Sequence, residues 1–242
     1  MMRPLSFVLI TLLLAPGGLS AQATGELPLV VDFDGEGSLA ISASDQELVR
    51  QTLWGAVESV RRLLPSLPRD IHVSVVPVDR DLSSVGGVAG RADAPGEVLI
   101  EMSAIYPGGI AAAVRDGLRV AFYHELHHLV RGWTIAENRF GPGIPNAVVN
   151  EGLASVFAET FTGTSFERFD YPADVRTWLE EILALPVDAN YDAWMNEHPD
   201  GRIAVGYRVG RYVVHEAMRR SGSSILDLSR RSPAQILRLV AD

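Results

Sequence analysis

Hydrophobic positions alternate with a period of two early in the chain and recur at helical spacing through most of the remainder. LPLVVDF, ending at Phe33, and IHVSVVPV (71–78) predict strands, the second rich in β-branched residues. Between them, SDQELVRQTLWGAVESVRRLL (44–64) repeats Leu48, Leu53, Val57, Val60 and Leu64 at helical spacing, with Ser44 and Glu47 set as a capping box. GGVAGRADAPGEVLIEMS (86–103) divides into two short extended pieces around Ala-Pro-Gly. From Gly109 the pattern turns helical in GIAAAVRDGLRVAFYHELHHLVRGW, with Gly132 as its stop. A Gly/Pro-rich loop, RFGPGIPNA (139–147), leads into a second apolar helix, AVVNEGLASVFAETF (147–161), and further helices are expected at about 173–184, 203–220 and 233–241. Strands early and helices late predict an α+β fold, a small N-terminal mixed sheet packed on a helix and followed by a helical C-terminal half.

Composition narrows this picture. A chain of 242 residues, 47% hydrophobic and 21% charged, supplies enough apolar side chains for a single core. The formal net charge of −9 and the absence of a basic stripe argue against nucleic acid as a partner. MMRPLSFVLITLLLAPGGLSAQA (1–23) has a basic start, a short apolar run and a small-residue ending, the pattern of a cleaved signal peptide. Its apolar run is too short to span a bilayer comfortably, so an exported domain, residues 24–242, is expected, periplasmic or secreted and without stable membrane insertion. There is no cysteine, so any metal must be held by His, Asp or Glu.

The chemistry concentrates in YHELHHLV (123–130), which holds three of the six histidines. Residues four apart on a helix share a face, so His124 and His128 bring two imidazoles toward one ion. Glu125 completes H-E-x-x-H, in which the histidines bind Zn²⁺ and the carboxylate polarises the attacking water. Rotated about 100° around the helix, Glu125 reaches beside the ion rather than onto it. The surrounding helix is apolar, where an unpaired carboxylate is costly to bury, and a metal explains its presence. His127 is read as flanking the cleft or bonding locally.

A catalytic zinc usually takes three protein ligands and keeps one position open. The metzincin continuation fails, because position 131 is Arg and 134 is Thr. Glu151, in NEGLASVFAE, is the candidate third ligand, on the next apolar helix beyond a loop long enough to reverse the chain. Alone it also reads as an ordinary carboxylate near a helix start. Glu159 reads as a solvated carboxylate or one supporting the ligands from behind.

YHELHHLVRGW, NEGLASVFAE and GYRVGRYVV together resemble three blocks, HExHH…R, EGLA and GYxxG, of a predicted bacterial zinc-dependent protease family. The resemblance runs from about Gly86 to the C-terminus. It implies a zincin-like, gluzincin-type fold with one zinc on His124, His128 and Glu151, Glu125 as catalytic base, and a peptide or protein as substrate. Where thermolysin-like enzymes carry an Asp one turn after the ligand Glu to orient a ligand histidine, this chain has Ser155, so that support is expected from the Ser155 hydroxyl, from Asn150 or from elsewhere. For the oxyanion donor, Tyr207 is the first choice and His215 the second, and Tyr207 reads equally well as a core aromatic. Gly206 and Gly210 permit close helix packing, while Arg208 and Arg211 read as partners of nearby acids. GEVLIEM (96–102) reads either as an edge strand to which an extended peptide could add or, at least as readily, as an ordinary sheet strand. An exported zinc metallopeptidase is the leading expectation. A non-catalytic zinc protein, or a zinc hydrolase of a non-peptide amide, is the alternative.

Overall fold

The computed structural model describes residues 29–35 and 37–241. The expected leader at 1–23 lies outside the described residues, and among the described residues no helix is long and apolar enough to cross a membrane. The fold is α+β, with a small mixed sheet and a helical majority.

Strands β1 (Leu29–Phe33), β2 (Ile71–Val78), β3 (Val88–Ala94) and β4 (Glu97–Ser103) form one sheet in the order β1-β2-β4-β3. The first two and β4 are parallel, and β3 runs antiparallel to β4. The period of two places Ile71, Val73 and Val75 with Val98, Ile100 and Met102 in the core, all buried. The crossover between β1 and β2 is helix α1 (Ala43–Leu63). Its N-cap is Ser42 rather than Ser44, because the Ser42 hydroxyl accepts from the Asp45 N–H and so satisfies a first-turn donor. The buried stripe of α1 is Val49, Leu53, Ala56, Val57 and Val60, and Leu48 is exposed.

The turn between β3 and β4 uses Gly96 at φ +82°, where an added Cβ would stand 2.8 Å from the Asp70 carbonyl oxygen. The sheet order corrects one expectation. GEVLIEM lies between β2 and β3, so the sheet's edge beside α3 belongs to β3, and its far end is partly covered by Ile135 and Ala136. Local alternation marks a strand but carries no information about its neighbours.

The expected long helix is interrupted. Helix α2 (Gly109–Ala113) passes through a π-helical stretch, Val114–Leu118, into α3 (Arg119–Arg131). The π stretch passes Gly117 against Gly86, whose carbonyl oxygen would lie 2.5 Å from a Cβ at 117. Gly132, at φ +61°, ends α3 in the left-handed conformation. Helix α4 (Ile144–Thr162) follows, with Pro145 in its first turn and almost every side chain from Ile144 to Ala158 buried. A helix that is apolar all round belongs at the centre of a core, and α4 is the centre of this one.

Around it lie α5 (Val175–Leu183), the short α6 (Tyr191–Met195), α7 (Val205–Ser221), the short α8 (Ile225–Leu228) and α9 (Pro233–Val240). The two short helices have no amphipathic signature to read from the sequence. Helices α4 and α7 cross backbone to backbone. A Cβ on Gly152 would meet the Gly210 carbonyl oxygen at 2.2 Å, and one on Gly210 would meet the Val148 carbonyl oxygen at 2.3 Å. Gly206 does not share that crossing; it packs on Met195 of α6.

Gly152→Ala and Gly210→Ala are each expected to destabilise the protein by about 2–3 kcal/mol or more, through overpacking. Gly55→Ala, on the exposed side of α1 with nothing within 4 Å, is expected to stabilise it by about 0.5–1 kcal/mol. Urea denaturation curves measure both, and equal effects would rule out the crossing as the cause.

Candidate active site

Helices α3 and α4 face each other across a cleft, and three side chains converge between them. His124 Nε2 and His128 Nε2 stand 2.9 Å apart, and Glu151 Oε2 lies 3.0 Å from the first and 3.2 Å from the second. All three candidate ligand atoms fall within 4.8 Å of one another, so this cluster can hold a metal ion. The donor set fits zinc. Tetrahedral ligands about 2.0–2.1 Å from the ion stand roughly 3.3 Å apart, only a little wider than the observed triangle. Three acceptor-capable atoms pointed at one spot repel each other unless a cation or shared protons sit among them.

Glu151 is 5% exposed on an otherwise apolar helix. Burial works against its charge, but the charge of His128 and the hydrogen bonds from both imidazoles hold its carboxyl well below the usual range. Its second oxygen, Oε1, accepts from Trp133 Nε1 at 3.1 Å. That indole holds the candidate ligand carboxylate from behind, whereas the support expected for a ligand imidazole from Ser155 or Asn150 is not found, and among the described residues His128 Nδ1 is buried without a partner. Asn150 instead accepts from Arg131 and donates to the Asn146 carbonyl, and Ser155 lines the cleft. Trp133 lies on the loop after α3, beyond the range of any helical periodicity, and only the folded chain shows its role.

Glu125 is also 5% exposed and behaves in the opposite way. Burial pushes its carboxyl up to about 7, with the Glu151 charge adding to the shift and His124 and the Ala92 N–H opposing it. The carboxylate rests against β3, where a Cβ on Gly90 would stand 2.7 Å from Glu125 Cγ. The Ala92 N–H bonds Glu125, and the Ala92 carbonyl accepts from the Ile135 N–H at 3.1 Å, so residue 92 turns its main chain away from β4. By the alternation of a strand, Gly90 presents its N–H and C=O to the cleft as well.

Tyr207 reaches the cleft, its ring 6.4 Å from that of His124. The charge of Glu151, reinforced by burial, raises its hydroxyl well above the ordinary value, so it remains a donor. His215 is not brought there. Eight residues along a helix add about 12 Å of rise and roughly 80° of rotation, and its ring meets Tyr171 instead. Tyr191, at the start of α6, faces the same cleft. Burial, then the charges of Glu151 and Glu125, raise its hydroxyl too, although half of the residue is open to solvent. No pattern in the sequence singles Tyr191 out.

His127 and Arg131 turn away from the cleft. His127 is fully buried, its Nε2 donating to Ser229 Oγ at 2.9 Å, while that hydroxyl donates to the Ile225 carbonyl at 2.8 Å. Arg131 bonds Asn150 on α4 and the carbonyls of Ser229 and Arg231 at 2.8 and 2.7 Å. Together they fasten the back of α3 to α4 and to the segment after α8, which corrects the reading of His127 as a neighbour of the cleft. Arg211 pairs with Glu159 and Asp170, and Arg208 donates to the Arg168 carbonyl.

Residues 50–238 match the family described as predicted Zn-dependent protease (DUF2268). No curated protein and no solved structure matches the chain.

Removing the Glu151 carboxylate, as in Glu151→Ala, is expected to weaken zinc binding by about a hundredfold or more, and Trp133→Phe by about tenfold. Glu159→Ala is expected to leave it unchanged, because its partner is Arg211. Competition with a chromogenic chelator measures all three, and equal losses for Glu151→Ala and Glu159→Ala would exclude Glu151 as a ligand.

Proposed function

The chain belongs to the family of predicted Zn-dependent proteases, and from that premise we propose that it is an exported, gluzincin-type zinc metallopeptidase. The observation that carries this reading is the triangle of His124, His128 and Glu151 with Glu125 beside it, buried yet raised to about 7. His124, His128 and Glu151 would hold one zinc. When bound, zinc supplies Lewis acidity, lowering the pKa of water and polarising the scissile carbonyl.

The remaining work falls to side chains of this chain. Glu125 takes a proton from the attacking water and delivers it to the departing amine, a role suited to a carboxyl poised near neutrality. With a cation in the site, the Glu125 carboxyl would be held lower and so start as the base. Tyr207 donates its hydroxyl to the developing oxyanion, and Tyr191 stands near enough to the two carboxylates to share that task. Gly90 matters by lacking a side chain, since a Cβ there would displace the Glu125 carboxylate. An extended peptide adds through its main chain to the outer edge of β3 at Gly90, short of Ala92 and Asp93, whose carbonyls already accept from the Ile135 and Ala136 N–H groups. Action outside the cytoplasm rests on the leader-like residues 1–23, whose removal leaves a chain beginning near Thr24.

Glu125→Gln is expected to keep zinc and lose cleavage by about 10³-fold or more, the usual contribution of a general base and acid. Metal analysis and a peptide library read the two quantities separately. Zinc bound without any cleavage by the wild type would favour a non-catalytic zinc protein. Tyr207→Phe is expected to lower kcat by about 10²-fold with little change in KM, while His215→Ala leaves both unchanged. Steady-state kinetics on one peptide decide between them.

A further inference from the structure

The cleft is not one cavity but two, and they meet at the reacting groups. Gly90, His124, Glu125 and Tyr207 line both. The smaller cavity has a volume of about 150 Å³ and is walled mainly by Val88, Val120, Ala121, Ala158, Phe166 and Phe169. The larger, about 650 Å³, runs past Trp133, Glu151 and Tyr191 and has Ile135 and Val187 on its rim, 74% and 64% exposed.

Each cavity has its own chemistry. An apolar cavity of about 150 Å³ is the size that accepts a benzene ring. Glu159 is the charged group in the smaller cavity's wall besides the reacting site, and its carboxylate accepts from the buried Arg211 guanidinium at 3.1 Å. A basic side chain entering there would have to compete with Arg211. An acidic one would meet Glu159 and Glu125. The larger cavity mixes polar and apolar walls, is too wide to grip one side chain, and opens past exposed apolar residues, as a path for continuing chain. Between the two, the β3 edge offers the Gly90 main chain to an extended peptide.

We propose that the smaller cavity takes one large apolar side chain, of Phe or Leu size, next to the scissile bond of an extended peptide that continues out through the larger cavity, so that the enzyme cuts within chains. This rests on the peptidase reading above and adds to it a side-chain preference and an internal mode of cleavage. With its side chain in the smaller cavity, the peptide keeps its main chain along β3, past Gly90 toward Ala89 and Val88 on one side and into the larger cavity on the other, so neither terminus is needed for binding.

The test uses the full protein with peptides blocked at both ends, N-acetylated and C-amidated, and maps the cut sites by mass spectrometry. Large apolar residues at one position beside the cut are expected to be favoured over Ala by about tenfold or more, the discrimination usual for an apolar pocket. Ala121→Leu, which fills the cavity from a partly exposed position, is expected to lower that ratio by about tenfold. Phe166→Ala, which opens it from the loop side, should raise the ratio of Trp to Phe and decides the matter if the first variant folds poorly. Independently of cleavage, N-acetyl-phenylalaninamide but not N-acetyl-glycinamide should shift the methyl NMR signals of Val88 and Val120. Peptide cleavage without apolar preference and without those shifts would overturn the pocket and leave the peptidase reading standing. The shifts without any cleavage would support the pocket and sink the peptidase reading. Cleavage only of peptides with a free terminus would overturn the internal mode.

Discussion

The contact between Gly152 and Gly210 sets the geometry of everything around the cleft. With no side chain on either residue, α4 and α7 touch through their backbones, closer than any other pairing of residue types would allow. Glu151 directly precedes one glycine, and Tyr207 lies one turn before the other. The crossing therefore fixes the depth of a candidate ligand and the reach of a candidate donor in a single stroke. The imidazoles need only α3 laid against the same buried α4, and the Arg131–Asn150 bonds hold that second pairing.

Two carboxylates buried to the same extent end up with opposite acidities, and their neighbours account for it. Glu151 faces two imidazoles and an indole N–H; Glu125 faces one imidazole, a strand backbone and the repelling charge of Glu151. Burial penalises the charge of both, and the difference follows from what each is given in return. Titratable pairs pushed apart in this way divide into one group that holds charge and one that exchanges a proton. The same charges keep the Tyr207 and Tyr191 hydroxyls protonated, so a cleft rich in acid still supplies donors.

Much of this is legible in the sequence, for identifiable reasons. The imidazole pair is readable because helical spacing converts directly into a shared face. Glu151 is readable only beside that pair, as a carboxylate on the next apolar helix beyond a loop long enough to reverse the chain. What escapes is set by contacts between distant segments. Strand order is invisible in alternation, so the edge beside α3 falls on β3 rather than on β4. Trp133 and Tyr191 act from the ends of loops, where no periodicity exists to mark them. The eight-residue spacing of Tyr207 and His215 suggests a common face, yet the rotation and rise of a real helix separate them. Leu48 and Val49 exchange places for a similar reason: both fit an apolar stripe, and only the packing of α1 on the sheet chooses.

The fastening of His127 and Arg131 to residues 229–231 carries a consequence for how the molecule comes into being. The hydrogen bonds span 98 to 102 positions of chain, so they form late in synthesis and late in any folding order governed by loop closure. Until they form, α3 carries a buried-type imidazole and guanidinium with nothing to bond. A half-made chain thus has the histidines and the glutamates but not the anchored helix that aims them. Organisation of the cleft is deferred until the segment at 229–231 is present to receive those bonds, so the helix that bears the imidazoles is aimed by chain made about a hundred residues after it.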